Sequence, residues 1–402
     1  MIFSLFRRDD KRGRRGPALD ISVFEKVLES GDAQAWWRLA TQLVAFVEET
    51  DTSPEDRAVV MPILIRLASC PDRAVRAHVA ALAREARHVS LDLVLTIAAG
   101  EEDISLPFIE RAVAIGPTLQ MAIFRAGDVA RRKAVCRRRD LCAEVAHEAI
   151  MVGERAVALE CIRNDQVALS PKLARRAYLR FREDEELVDA LLRRHDLPLE
   201  VRLAHVEVMA GRMRAVMKEA GWAEAQRALD AAASMEERAL VNILAEAGDE
   251  EKLISAFEFL SRRGRLTAAV LLRAACVGHV AVLVHGLAWL ARMKAARLRQ
   301  VLRPNASLAL ARTALMRSGL PEGVHALALG VLLAARRRGE EAARPGVRLA
   351  GFGPLVLEAI AGTELLSVAE KMQAAGMLQR LSDERTRELA ARFVQSLLRH
   401  AA

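Results

Sequence analysis

Apolar residues recur every three or four positions along nearly the whole chain, and the segments that carry them are short. Ile21, Phe24, Val27 and Leu28 share one helical face, and a second helix is predicted through Trp36–Val47. The break TDTSPED follows. There, Ser53-Pro54-Glu55-Asp56 reads as a helix start: a capping serine, a first-turn proline and first-turn acids. Ser170-Pro171 predicts another start, and Ser234-Met235-Glu236-Glu237 reads as a capping box. No stretch alternates as a strand does. The pattern predicts an all-α protein with helix content well above the roughly 35% of an ordinary globular chain.

A loose repeat lies over this pattern. AVCRRRDLCAEV (134–145) matches ALLRRHDLPLEV (190–201), with ALECIRNDQVALSP (158–171) between them. Val79, Ile109, Cys136, Cys161 and Leu191 fall at matching places, each interval holding two amphipathic segments joined at Gly, Pro, Asp or Asn. Helix pairs this short cannot bury their apolar faces alone, so the pattern predicts a HEAT-like α-solenoid of stacked short hairpins. Around Met217–Gly221 the character changes to longer, nearly end-to-end helices. The expected organisation is therefore a flexible basic arm (1–20), a short-repeat solenoid (21–217) and a second all-helical domain (218–402).

The second domain contains an unusual stretch. Between Ser261 and Gly339 stand fourteen arginines and lysines against one acid, Glu322, on a background of Leu, Ala and Val. Helical spacing predicts a buried apolar stripe with the cations pointing outward. In RMKAARLRQVLR, Met293, Leu298, Val301 and Leu302 should face the core. Arg292, Lys294, Arg297, Arg299 and Arg303 should then be exposed and mostly unpaired, and they form the candidate surface for an anionic partner.

Composition adds limits. Hydrophobic residues make up 52% of 402 residues, ample for a core, while aromatics are only 4%. The net charge of +8 is concentrated in the arm and the second half. Arginines far outnumber lysines, which in part reflects a GC-rich codon bias. Ala274–Ala291 has no charged residue and reaches the lower length of a membrane span, but Gly278-His279 and His285-Gly286 interrupt it. Two buried helices meeting at Gly278 fit it better. The arm joins an apolar head (Ile2, Phe3, Leu5, Phe6) to six basic residues, as peripheral membrane segments do, although so short a head fits a disordered start better. Nothing in it resembles a cleavable signal peptide. The five cysteines sit at apolar positions with no framework spacing, as reduced cytoplasmic thiols do.

The short repeats with their DLP-type turn, then AFEFLSRRGRLTAAVLLRAACVGHVAVLVHGLAWLARM and VLRPNASLALARTALMRSGLP, resemble a mainly alphaproteobacterial family. That family is known as a domain of unknown function with HEAT-like helical repeats. The resemblance runs from roughly Trp36 to Arg337 and rests on packing patterns. It implies an α-superhelical protein of the bacterial cytoplasm and brings no catalytic residues with it.

Chemistry is sparse. The sequence has no P-loop, no GxGxxG after a strand, no nucleophile elbow and no HExxH. Cys136 and Cys142 lack a second pair at zinc spacing. His147 in AEVAHEAI has the His-Glu start of a phosphoacceptor helix, yet a surface histidine is the simpler reading; His279 and His285 read as core or groove histidines. The expectation is a protein that is not an enzyme and needs no cofactor or metal. Its leading role is an interaction scaffold docking a protein with an acidic surface. Nucleic-acid binding through duplex phosphates is a second class, with Trp289 the one aromatic from 261 to 339. Membrane association through the arm is a third.

Overall fold

The computed structural model describes residues 21–50, 52–219 and 225–401, so the expected arm and its membrane role lie outside the described residues. Among the described residues, 75% are helical, in 23 α-helices with no strand. The chain separates into two compact units, Met1–Leu197 and Pro198–Ala402. The change of character near residue 217 marks instead the end of a long helix inside the second unit.

The first unit holds α1 (Ile21–Glu29), α2 (Ala33–Glu48), α3 (Pro54–Ala68), α4 (Arg73–Glu85), α5 (Leu91–Ala98) and α6 (Glu102–Arg111). It continues with α7 (Pro117–Ala126), α8 (Val129–Cys136), α9 (Ala143–Met151), α10 (Arg155–Arg163), α11 (Pro171–Phe181) and α12 (Glu185–Arg193). The starts are written in the sequence. Asp32, Ser53, Asp72, Ser90, Asp128, Ser170 and Asp184 each accept a hydrogen bond from a first-turn N–H. Each such cap stabilises its helix by about 1 kcal/mol. The even-numbered helices from α2 to α12 pack in succession, each against the next, and the intervening odd-numbered helices pack beside them. Val79, Ile109, Cys136, Cys161 and Leu191, the recurring apolar positions, fall on α4, α6, α8, α10 and α12 and are all buried.

Helices of eight to thirteen residues leave a large share of their carbonyls unpaired at the C-terminal end. Arginines from neighbouring helices fill this need. Arg138 is only 2% exposed and donates through Nη1 to Ile109 O (2.5 Å) and through Nη2 to Ala112 O and Ile115 O (3.0 and 3.3 Å), at the end of α6. Asp140, two residues on, holds the same guanidinium at 2.9 Å. Arg194 repeats the arrangement two stages later, donating to Ile162, Asn164 and Val167 carbonyls and held by Asp196. Between them Asn164 does the same for α8, donating to Cys136 O and Arg138 O at 2.8 and 2.6 Å. Arg57, Arg76, Arg131 and Arg180 donate in the same way to carbonyls at the ends of α2, α3, α5 and α9. In the matched RRRDL and RRHDL segments, the middle arginine of the first and the second arginine of the other are therefore buried clasps, with exposed neighbours on either side.

The second unit begins with the two longest helices, α13 (Leu199–Glu219) and α14 (Ala225–Ala245). Helix α14 runs unbroken through Ser234, so no capping box forms there; the Ser234 hydroxyl accepts from Arg273 Nη2 instead. Then come α15 (Glu250–Arg262), α16 (Ala268–Cys276), α17 (Val280–Leu290), α18 (Ala295–Arg299), α19 (Ala309–Arg317) and α20 (His325–Ala335). Helices α21 (Phe352–Gly362), α22 (Val368–Leu381) and α23 (Glu384–Ala401) complete it. From α15 to α21 the helices are short again, five to thirteen residues long, unlike the longer ones expected, while α22 and α23 run to 14 and 18 residues. Helices α16, α17 and α20 are apolar nearly all round and form the centre of the core. The uncharged stretch from Ala274 to Ala291 is indeed two buried helices meeting at Gly278. No helix among the described residues is long and apolar enough to cross a membrane. Gly330 of α20 lies against Ile360, where a Cβ would fall 2.5 Å from Ile360 Cγ1, so only glycine allows the close approach to α21.

The clasps set a stability prediction for the first unit. Arg138→Met should cost about 3 kcal/mol in urea unfolding, since it leaves three carbonyls and the Asp140 carboxylate without their donor. Arg139→Met, the exposed neighbour, should stay within about 0.5 kcal/mol of the parent chain. Equal losses in the two variants would contradict the clasp.

Candidate interaction surface

The candidate surface lies where α17 ends and α18 begins, and it starts from a backbone feature. Three successive helices close with the same pair of hydrogen bonds. At the end of α15, Arg265 N donates to Leu260 O and Gly264 N to Ser261 O, with Gly264 at φ +65°. At the end of α16, His279 N donates to Ala274 O and Gly278 N to Ala275 O, with Gly278 at φ +103°. At the end of α17, Met293 N donates to Ala288 O and Arg292 N to Trp289 O, with Arg292 at φ +54°. Arginine thus occupies a left-handed position that its two counterparts give to glycine. Among the described residues Arg292 is alone among non-glycines in having positive φ. The conformation costs a residue with a Cβ about 1 kcal/mol or more.

Beyond Arg292, Ala295, Leu298, Val301 and Leu302 anchor α18 and the following 3-10 turn in the core, as the spacing predicts. Met293 is half-buried. Arg292, Lys294 and Arg297 are exposed, and none of their side chains makes a hydrogen bond or ion pair among the described residues. The other two candidates differ. Arg303 is exposed but paired, its Nε 2.6 Å from Glu340 Oε1, a carboxylate just beyond the acid-poor stretch. Arg299 is half-buried, with Nε out of contact with solvent and without a hydrogen-bond partner among the described residues.

The remaining cations from 261 to 339 do not all point outward. Arg273 is 7% exposed and bonds Glu237 through Nε and Nη2. Arg336 donates to Val301 O and Ala306 O, repeating the carbonyl role seen in the first unit. Arg262, Arg263, Arg265 and Arg337 pair with Glu258, Glu207, Glu236 and Glu358. All of these acids lie outside the stretch in sequence, so a local count could not see them. What remains are Arg292, Lys294 and Arg297, three free cations beside a strained turn, and Arg312, Arg317 and Arg338, which are also exposed and make no side-chain hydrogen bond or ion pair among the described residues. Trp289, at the end of α17, is half-buried and offers no open stacking platform.

Behind the surface lies His285, 2% exposed on α17, whose Nε2 is 3.1 Å from Ala343 O. Its Nδ1 has no hydrogen-bond partner among the described residues and lies 3.9 Å from Glu250 Oε1. Burial pushes the imidazole below its ordinary 6.5, Arg299 adds to the effect, and Glu250 and the Ala343 carbonyl oppose it. His279, half-buried, is lowered by burial and by Arg348, while His147 is exposed on α9. Among the described residues no group of three or more His, Cys, Asp or Glu could hold a metal ion, and all five cysteines are free thiols.

Two outcomes are expected. Arg292→Gly should raise stability by about 1 kcal/mol by relieving the left-handed strain, read as a higher thermal midpoint. A lower midpoint would mean that the Arg292 side chain itself holds the turn. For His285 the folded pKa lies below the unfolded one, so the unfolded chain takes up the proton first. Stability is therefore full above about 6.5 and falls as pH drops through that value. His285→Gln should flatten this loss between pH 7 and 5.5, and an unchanged pH profile would remove His285 as its source.

No curated protein and no solved structure matches the chain. Residues 104–350 match the family described as an uncharacterised protein conserved in bacteria (DUF2336). This match spans more than half of the chain and takes in α17, α18 and the whole candidate surface. The chain belongs to that family.

Proposed function

We propose that this chain is a non-catalytic interaction scaffold of the bacterial cytoplasm. In this reading the first unit is a HEAT-like α-solenoid, and the second docks a protein with an acidic surface through Arg292, Lys294 and Arg297. Succession of even-numbered helices, with α8, α10 and α12 each clasped to the one before, supports the solenoid. The observation that carries the docking role is Arg292 at φ +54° where Gly264 and Gly278 hold the equivalent places. A charged side chain kept on a strained backbone is worth its strain when it contacts something. Three unengaged cations on one short segment, in a chain whose other arginines are so widely engaged, agree with that.

A protein partner fits better than nucleic acid. Duplex binding draws its affinity from many phosphate contacts, and the three free cations of this segment are few for that, Arg312, Arg317 and Arg338 being the other unpaired cations of the stretch. Carboxylates on a partner would meet the guanidinium groups in charge-assisted pairs worth more than neutral hydrogen bonds.

The test is retention on immobilised poly-glutamate and on immobilised duplex DNA, for the parent chain and for Lys294→Glu with Arg297→Glu. The variant should keep the parental stability within about 0.5 kcal/mol, because both positions are exposed and unpaired. The parent should be held by poly-glutamate and released by salt, the variant eluting earlier. Identical elution would leave this face merely solvated, and stronger retention on DNA would favour a nucleic-acid partner.

A further inference from the structure

A second group of arginines converges elsewhere in the second unit. A groove of about 440 Å³ opens between α14, α16 and the junction of α22 with α23, floored by Val241 and Val277. Arg238, Arg273 and Arg387 line it together with Asn242. The three guanidinium groups are held differently. Arg273 is more than nine-tenths buried, and Glu237 fixes its Nε and Nη2 at 3.2 and 3.0 Å, while Nη1 makes no hydrogen bond among the described residues. Arg238 and Arg387 are exposed, and neither side chain has a hydrogen bond or ion pair among the described residues. Arg348 donates weakly to Val277 O at 3.4 Å, and the Asp383 carboxyl is lowered first by its hydrogen bonds with Thr386 and then by Arg385 and Arg348.

Two carboxylates, Asp383 and Glu384, share the rim. Asp383 is engaged as the cap of α23, accepting from Thr386 N at 2.9 Å; counting Glu237, three carboxylates stand against the four guanidinium groups of Arg238, Arg273, Arg348 and Arg387. Arginines from three helices, one of them buried and pre-oriented by the half-buried carboxylate of Glu237, present forked donors that suit the oxygens of a tetrahedral anion. The volume lies in the range of small-molecule sites, and the valine floor beside Asn242 offers an apolar wall with one amide to read a polar edge.

We propose that this groove binds a small phosphate-bearing anion, up to the size of a mononucleotide. The site is separate from the α17–α18 surface, shares no residue with it and stands or falls independently of the docking role.

The experiment uses the full chain and three probes at millimolar concentration, inorganic phosphate, pyrophosphate and AMP, each against sodium chloride of equal ionic strength. Thermal midpoints are read with each probe, since a ligand that binds the folded state raises the midpoint with its concentration. At least one probe should raise the midpoint of the parent chain. Arg238→Ala with Arg387→Ala should need at least tenfold more of that probe for the same rise, with its ligand-free midpoint unchanged because both side chains are exposed. Lys294→Glu with Arg297→Glu should respond as the parent does. A larger response to AMP than to inorganic phosphate assigns the groove to a phosphorylated organic molecule, and the reverse assigns it to free phosphate. No rise with any probe, or an undiminished rise in the Arg238/Arg387 variant, would overturn the proposal.

Discussion

The carbonyl left unpaired at the end of a short helix is the constraint from which the rest of the first unit follows. A helix of about ten residues has as many end groups as internal hydrogen bonds, and its last carbonyls are costly to bury unmet. Here the donor comes from the next helix of the same layer, through Arg138, Asn164 and Arg194. One guanidinium satisfies up to three carbonyls and is itself neutralised by a carboxylate two residues away, so no bare charge is buried. The stack is therefore joined by polar clasps as well as by apolar faces. Arginine suits this role better than lysine because its five donors are fixed in a plane.

That use of arginine also changes what the positive charge means. An arginine-rich stretch invites the reading of a basic surface, yet Arg273 and Arg336 turn inward and Arg303 and Arg337 meet carboxylates. Once these are set aside, Arg292, Lys294 and Arg297 remain together with Arg312, Arg317 and Arg338, and the backbone at Arg292 singles out the first three. The same subtraction brings out Arg238 and Arg387 on a different face. In this protein the informative cations are those that the fold leaves unengaged.

Much of the architecture was legible in the residues. Caps at Ser53 and Ser170, the break at Gly278 and the apolar positions from Val79 to Leu191 all read correctly, because each depends on near neighbours or on simple periodicity. The misreadings share one cause. Ser234 has the local signature of a helix start, but its hydroxyl meets Arg273 inside a continuous helix. Arg299 has the spacing of an exposed face, but it closes over the side of α17 that carries His285. Glu340, Glu207 and Glu237 reach their arginines across the fold, which no window along the chain reveals. The left-handed turn at Arg292 left no mark at all, since the glycine that would announce it is missing.

The most direct measurement of the account is the stability of Arg138→Lys and Arg194→Lys in urea. Lysine keeps the charge beside Asp140 and Asp196 but offers a single ammonium in place of a planar fork. If the clasp works by meeting several carbonyls at once, each lysine variant should lose about 2 kcal/mol or more, approaching the loss expected for an apolar replacement. Lysine variants as stable as the parent would show that charge alone is needed there, and the account of how these helices are joined would be wrong.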